Sequence, residues 1–101
     1  MTPTQRSKKL LESRGYLVAI VEKWNPVLKR RHDLFGFADL LAVGADVLMV
    51  QTTSASNVSS RVNKIAESES VPIVRKAGIG IHVHGWRKVG NRWQCREVDL
   101  S

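Results

Sequence analysis

Cysteine is almost missing from this sequence: Cys95 stands alone among 101 residues. A single thiol forms no internal disulfide, so nothing calls for an oxidising compartment or a disulfide-stapled fold. Aromatic residues are scarce at 6%, with one tyrosine and two phenylalanines beside three tryptophans. Long apolar runs are missing as well. Tyr16 to Val21 and Val47 to Val50 are far too short to cross a bilayer, and no signal-peptide-like apolar stretch follows the basic start from Met1 to Lys9. The expectation is a cytoplasmic protein with no membrane contact.

Acid is the other shortage. Nine Asp and Glu face sixteen Lys and Arg, which leaves a net charge of +7 and a pI near 10.2. A small basic protein of this kind expects a polyanionic partner, with nucleic acid first and an acidic protein surface second. What is present is a globular balance of 43% hydrophobic and 25% charged residues. The length suits one domain, residues 1–101, able to fold without metal or disulfide support.

Local patterns predict the element order α-β-β-β-α-α-β-β. Thr4 to Arg14 reads as a helix capped by Thr4, with Ser7, Leu10, Leu11 and Arg14 at helical spacing and Gly15 just past its end. Tyr16 to Lys23 is rich in β-branched residues and reads as a strand; Pro26 and the cluster Lys29-Arg30-Arg31-His32 belong to a loop closed by Gly36. Phe37–Val43 and Val47–Thr53 are strands joined by the tight turn Gly44-Ala45-Asp46. Both are apolar on both faces, which places them at the centre of a layered α/β sheet. Ser54 or Ser56 caps a helix running to about Glu67, with Val58, Val62 and Ile65 on one stripe and Asn57, Arg61 and Lys64 on another. Val71 to Ala77 forms a short helix, and Gly80–Lys88 with Arg92–Asp99 forms a hairpin.

Asp39 is the one charged group within its apolar strand, and a buried carboxylate needs a partner or a metal. Gln51 and Thr53 share a face on the next strand, which the hairpin brings alongside. These residues carry a resemblance. Gly36-Phe37-Ala38-Asp39 followed twelve residues later by Gln51-Thr52-Thr53 resembles the core of the PD-(D/E)XK nuclease superfamily, nearest its Holliday-junction-resolvase and VRR-type branches. The resemblance spans roughly residues 16 to 67 and is shared with many short phage and prophage proteins, which implies a phage or bacterial source.

The resemblance implies a restriction-endonuclease-like core, a central mixed sheet flanked by helices. It also implies Mg²⁺ or Mn²⁺ held by hard oxygen ligands and DNA as the substrate of a metal-dependent endonuclease. A homodimer that treats two strands is expected. Asp39 takes the place of the family's first acid, Gln51 that of the second carboxylate, and Thr53 that of the lysine. The missing cation is expected from Lys64 or Arg61 on the following helix, with Asn57 nearer the strand end. Glu12 and Glu22 are the candidates for the remaining acid, Glu22 being favoured if the first strand lies beside Asp39. Lys29, Arg30 and Arg31 are expected to contact phosphates. The replaced lysine and carboxylate also support a second reading, a non-catalytic domain that binds DNA or a protein.

Other groups have plainer readings. His82, His84 and Cys95 lack the paired spacings of zinc sites, and the two histidines are expected on an exposed sheet face. Trp24, Trp86 and Trp93 suit base stacking, or, for the last two, packing across their own hairpin.

Overall fold

The start of the chain is helical because its first turn is closed from both sides. The Thr2 side chain accepts from the Gln5 backbone N–H, and the Gln5 side chain accepts from the Thr2 N–H. In the computed structural model, which describes all 101 residues, α1 spans Pro3–Ser13. Thr2, not Thr4, is therefore the cap. Thr4 is released to face inward, where it shares a buried stripe with Ser7 and Leu11. Leu10 and Arg14 do not belong to that stripe.

After a turn at Gly15, whose φ is +93°, the chain enters β1 (Leu17–Ile20). The expected single strand from Tyr16 to Lys23 stops at Ile20. The segment beyond it is not a loop. β2 (Lys23–Asn25) and β3 (Arg30–His32) form a separate two-stranded ribbon, turned by the Asn25 carboxamide oxygen, which accepts from the Val27 and Leu28 N–H groups. The chain then doubles back at Phe35 and Gly36, with φ of +54° and +79°, and pairs Leu34 with Ala38. β4 is consequently Leu40–Val43, shorter than expected, although the Asp39 N–H still donates to Val50 and its carbonyl accepts from Val21.

β5 (Val47–Ser54) is almost wholly buried, as a strand apolar on both faces requires. Ser54 and Ser56 do not cap the next helix. A 3₁₀ turn, Ala55–Asn57, intervenes before α2 (Val58–Ala66), and Ser54 accepts from the Asn57 side chain instead. α3 (Val71–Lys76), β6 (Gly80–Val89) and β7 (Arg92–Asp99) complete the fold.

The main sheet has the order β1-β4-β5-β6-β7 and is mixed: β5 and β6 run parallel, and every other pair is antiparallel. The crossover from β5 to β6 carries α2 and α3, and α1 covers the opposite face. The expected mixed α/β architecture with helices on both sides is therefore present. Side chains alternate along β5. Leu48 and Val50 pack with Leu11, Val18, Leu40 and Ala42 beneath α1. Met49 packs with Phe37, Ile81, Val83 and the inner faces of α2 and α3. No helix is long and apolar enough to cross a membrane.

Hydrogen bonds seat α1, because its stripe has one large apolar residue. Thr4 Oγ1 lies 2.7 Å from Thr52 Oγ1, and Trp86 Nε1 donates to Ser7 Oγ at 2.8 Å. Ser7 Oγ also lies 2.9 Å from Nδ1 of His84, which is fully buried, correcting its expected place on an exposed face. The other ring nitrogen, Nε2, lies 3.4 Å from Glu97 Oε1. Glu97 is itself clasped by both terminal nitrogens of Arg14 at 2.6 and 2.9 Å.

On the other face, Gly85 lets the 3₁₀ turn and α2 sit directly on β6. A Cβ there would fall 2.2 Å from Val58 Cγ2 and 3.1 Å from the Ala55 Cα. Gly85→Ala is expected to lower stability by about 1–3 kcal/mol through this overpacking, read as a fall in the denaturant midpoint at unchanged slope. An unchanged midpoint would mean that α2 is not held against the sheet as described.

Candidate functional site

The turn at Phe35-Gly36 has a consequence for charge. Leu34 faces Ala38 in an antiparallel bridge, so the next residues outward, Asp33 and Asp39, face each other as well. β1 lies beside β4, and its register continues from Ile20↔Leu40 to Val21, which donates to the Asp39 carbonyl. Glu22 follows immediately. Carboxylate oxygens of Glu22, Asp33 and Asp39 all lie within 4.8 Å of one another. The expectation that Glu22 joins Asp39 if the first strand lies alongside is met. Asp33 was not expected. Its signal was present as two acids placed symmetrically, three residues either side of Gly36, but it has meaning only once that glycine is known to reverse the chain.

Asp39 is buried, and its Oδ2 is heavily used. It accepts from Gln51 Nε2 at 2.8 Å, from the Thr52 N–H at 2.8 Å and from Thr52 Oγ1 at 3.1 Å. Since the Thr52 hydroxyl donates to Asp39, Thr4 must donate to Thr52, so α1 is tied to this carboxylate through one hydroxyl. Gln51 is also buried. Its amide group faces Asp39, which leaves Oε1 with no hydrogen-bond partner. A buried carbonyl oxygen without a donor is costly and is the kind of group a cation satisfies.

The cluster opens into a polar cleft of about 350 Å³ with no hydrophobic residue in its lining. Arg31, Arg61 and Lys64 border it together with the three acids. Arg31 Nη1 lies 2.8 Å from Glu22, and Lys64 Nζ lies 3.4 Å from Asp33. Arg61 contributes a buried Nε that has no partner. Both expected helix-borne cations therefore reach the cleft.

Other expected site residues do not. Thr53 is buried on the same strand face as Gln51 but does not line the cleft, so it supplies nothing where the family places its lysine. Asn57 is turned back onto Ser54, Lys29 and Arg30 lie exposed on the β2–β3 ribbon, and Glu12 pairs with Lys8 on the surface of α1.

Burial pushes the Asp39 carboxyl up to about 8; its contact with Asp33 and the nearby charges of Asp33 and Glu22 push the same way, against the Thr52 N–H. Burial lowers His84 to about 4, so this imidazole is neutral at neutral pH. Cys95 is pushed up to about 12 by burial, which makes it an inert thiol.

These shifts predict the shape of the stability profile. An acid raised in the folded state holds a proton that the unfolded chain has released, so stability falls as pH rises toward 8. A histidine lowered in the folded state acts oppositely, and stability falls as pH drops from about 6.5 toward 4. Between about 4 and 6.5 the two oppose each other; between about 6.5 and 8 only Asp39 acts. In chelator, the thermal midpoint is expected to fall from pH 6.5 to 8 in the wild type. In Asp39→Asn it should stay flat there, and decline visibly on acidification below 6.5. A wild-type profile that rises toward pH 8 would contradict the burial of this acid.

Comparisons with protein families, with curated proteins and with solved structures give no match to this chain.

Proposed function

We propose that this protein binds nucleic acid and hydrolyses its phosphodiester bonds with the help of a divalent cation, in the manner of a small PD-(D/E)XK-type DNA endonuclease. One observation carries the reading. Three carboxylates converge within 4.8 Å of one another in a polar cleft that Arg31, Arg61, Lys64 and the buried Gln51, whose Oε1 has no hydrogen-bond partner, also line. Asp39, Glu22, Asp33 and Gln51 offer the hard oxygens that Mg²⁺ or Mn²⁺ prefers, and the three acids supply the charge that Gln51 lacks. When bound, such a cation supplies Lewis-acid assistance to attack on a phosphate ester.

The remaining work falls to the chain's own residues. Lys64 and Arg61 neutralise phosphate charge from α2, replacing the lysine absent at Thr53. Both line the cleft because α2 starts one 3₁₀ turn beyond β5; Arg61 has an unpartnered Nε there, and Lys64 would exchange its contact with Asp33 for the phosphate. Thr52 and the Thr4 hydroxyl fix the Asp39 carboxylate so that its second oxygen faces the other acids. The overall reaction adds water to phosphorus and breaks one P–O ester bond, with the departing oxygen taking a proton.

A non-catalytic reading has its own support. Arg31 and Lys64 already pair with Glu22 and Asp33, so the cluster is partly neutralised without a metal. The two readings separate in one experiment. Labelled branched, single-stranded and duplex DNA is incubated with Mg²⁺ or Mn²⁺, and Mn²⁺ binding is followed by calorimetry. The expected result is cleavage by the wild type, no Mn²⁺ heat and roughly 10³-fold slower cleavage in Asp39→Asn, and roughly 10²-fold slower cleavage in Lys64→Ala. Salt-sensitive DNA binding without cleavage or Mn²⁺ uptake would overturn the nuclease and leave the binding domain.

A further inference from the structure

The twelve residues from Gly85 to Arg96 hold four cations, Arg87, Lys88, Arg92 and Arg96, and no acid. They form the outer half of the β6–β7 hairpin, from Gly85↔Arg96 to Val89↔Arg92. All four are exposed, and the molecule's ion pairs use other cations. β7 is the last strand of the sheet, so its outer backbone edge is open. Alternation along β7 puts Arg92, Gln94 and Arg96 on one side of that edge and Trp93 on the other. On the first side, Arg87, Gln94 and Arg96 border a cleft of about 370 Å³ beside Ala55. On the second, Trp93 is 45% exposed, with the Arg6 guanidinium 3.7 Å from its ring centroid.

We propose that the free edge of β7 binds a single-stranded segment of nucleic acid, with phosphates at Arg87, Arg92 and Arg96 and an unpaired base stacked on Trp93. This rests on the reading that the partner is nucleic acid. An arginine cluster would serve a duplex equally well. An exposed indole with a guanidinium already against it serves an unpaired base, because the faces of paired bases are hidden in their own stack. Arg92 and Arg96 stand about 13 Å apart along the strand, so they engage an extended chain and not one phosphate. The same cations resist pairing of this edge with a second copy.

The location also fits. β5 and β6 are parallel, with Ser54 level with Trp86, so the arm projects from the end of the sheet at which Gln51 and Thr52 meet Asp39. A strand held on the arm is delivered to the same end as the acidic cleft.

The test is fluorescence anisotropy with a labelled oligothymidylate and a duplex of equal length, in EDTA so that cleavage plays no part. The wild type is expected to prefer the single strand. Arg92→Gln/Arg96→Gln should weaken that binding about tenfold or more and reduce the slope of log K against log salt by about 1.4, two phosphates at about 0.7 each. Trp93→Ala should weaken it roughly tenfold, with Trp93→Phe retaining most of the affinity. Arg75→Gln/Lys76→Gln, which removes the same charge from the end of α3 ahead of β6, should leave the slope nearly unchanged. Equal losses in the two double variants, a preference for duplex, equal binding of polyglutamate, or no effect of Trp93→Ala would each overturn the proposal. Cleavage with arm-independent binding would sink the arm alone. Arm-dependent binding without cleavage would sink the nuclease alone, and no binding to any nucleic acid would sink both.

Discussion

A carboxylate buried in a strand has to be satisfied from within the protein, and around Asp39 that requirement organises most of the molecule. Its Oδ2 gathers the Gln51 amide, the Thr52 N–H and the Thr52 hydroxyl, and through Thr52 it reaches Thr4 on α1. Its backbone carbonyl holds Val21 and so sets Glu22 in place. Its position opposite Asp33 follows from the reversal at Phe35-Gly36. One helix, three strands and one tight turn therefore depend on a single acid. Burial, the contact with Asp33 and the nearby charges of Asp33 and Glu22 push that acid up to about 8.

The elements built on local chemistry were legible in the sequence. The apolar strands around Gly44-Ala45-Asp46, the stripe Val58–Val62–Ile65 and the C-terminal hairpin follow from periodicity and turn residues, and they lie where that reasoning puts them. The Asp39–Gln51 contact follows from hairpin register. What escaped was conformation that propensity describes poorly. Phe35 adopts positive φ, which non-glycine residues rarely do, and without that kink Asp33 reads as an ordinary loop acid. The β2–β3 ribbon has three-residue strands, too short for an alternation pattern to show. Thr2 and Thr4 are equally good caps in isolation; tertiary demand for Thr4 at Thr52 and the reciprocal bond from Gln5 decide between them.

Charge shows the same division. The surplus of cations is visible in composition, but where it acts is not. Near the acidic cluster, Arg31 and Lys64 are largely spent in balancing Glu22 and Asp33. Farther along the sheet, the outer β6–β7 hairpin keeps its positive charge uncompensated. A protein with only nine acids uses three of them in one cluster, and this leaves long stretches of surface with no counter-charge. The polarity of the molecule comes from concentrating its few acids more than from its many bases.

The seat of α1 has a consequence for how the chain comes together. Ser7 is joined to His84 and Trp86, 77 and 79 residues away, and Arg14 is joined to Glu97. Thr4 and Leu11 contact β-strands made earlier, yet the polar contacts that fix the helix belong to the last two strands. During synthesis from the N-terminus, the first element formed is thus among the last to be locked. Until β6 and β7 emerge, α1 depends on its own capping box and on Leu11. At eleven residues it is too short to be stable alone, so closure of the sheet and docking of the helix become one late, cooperative event.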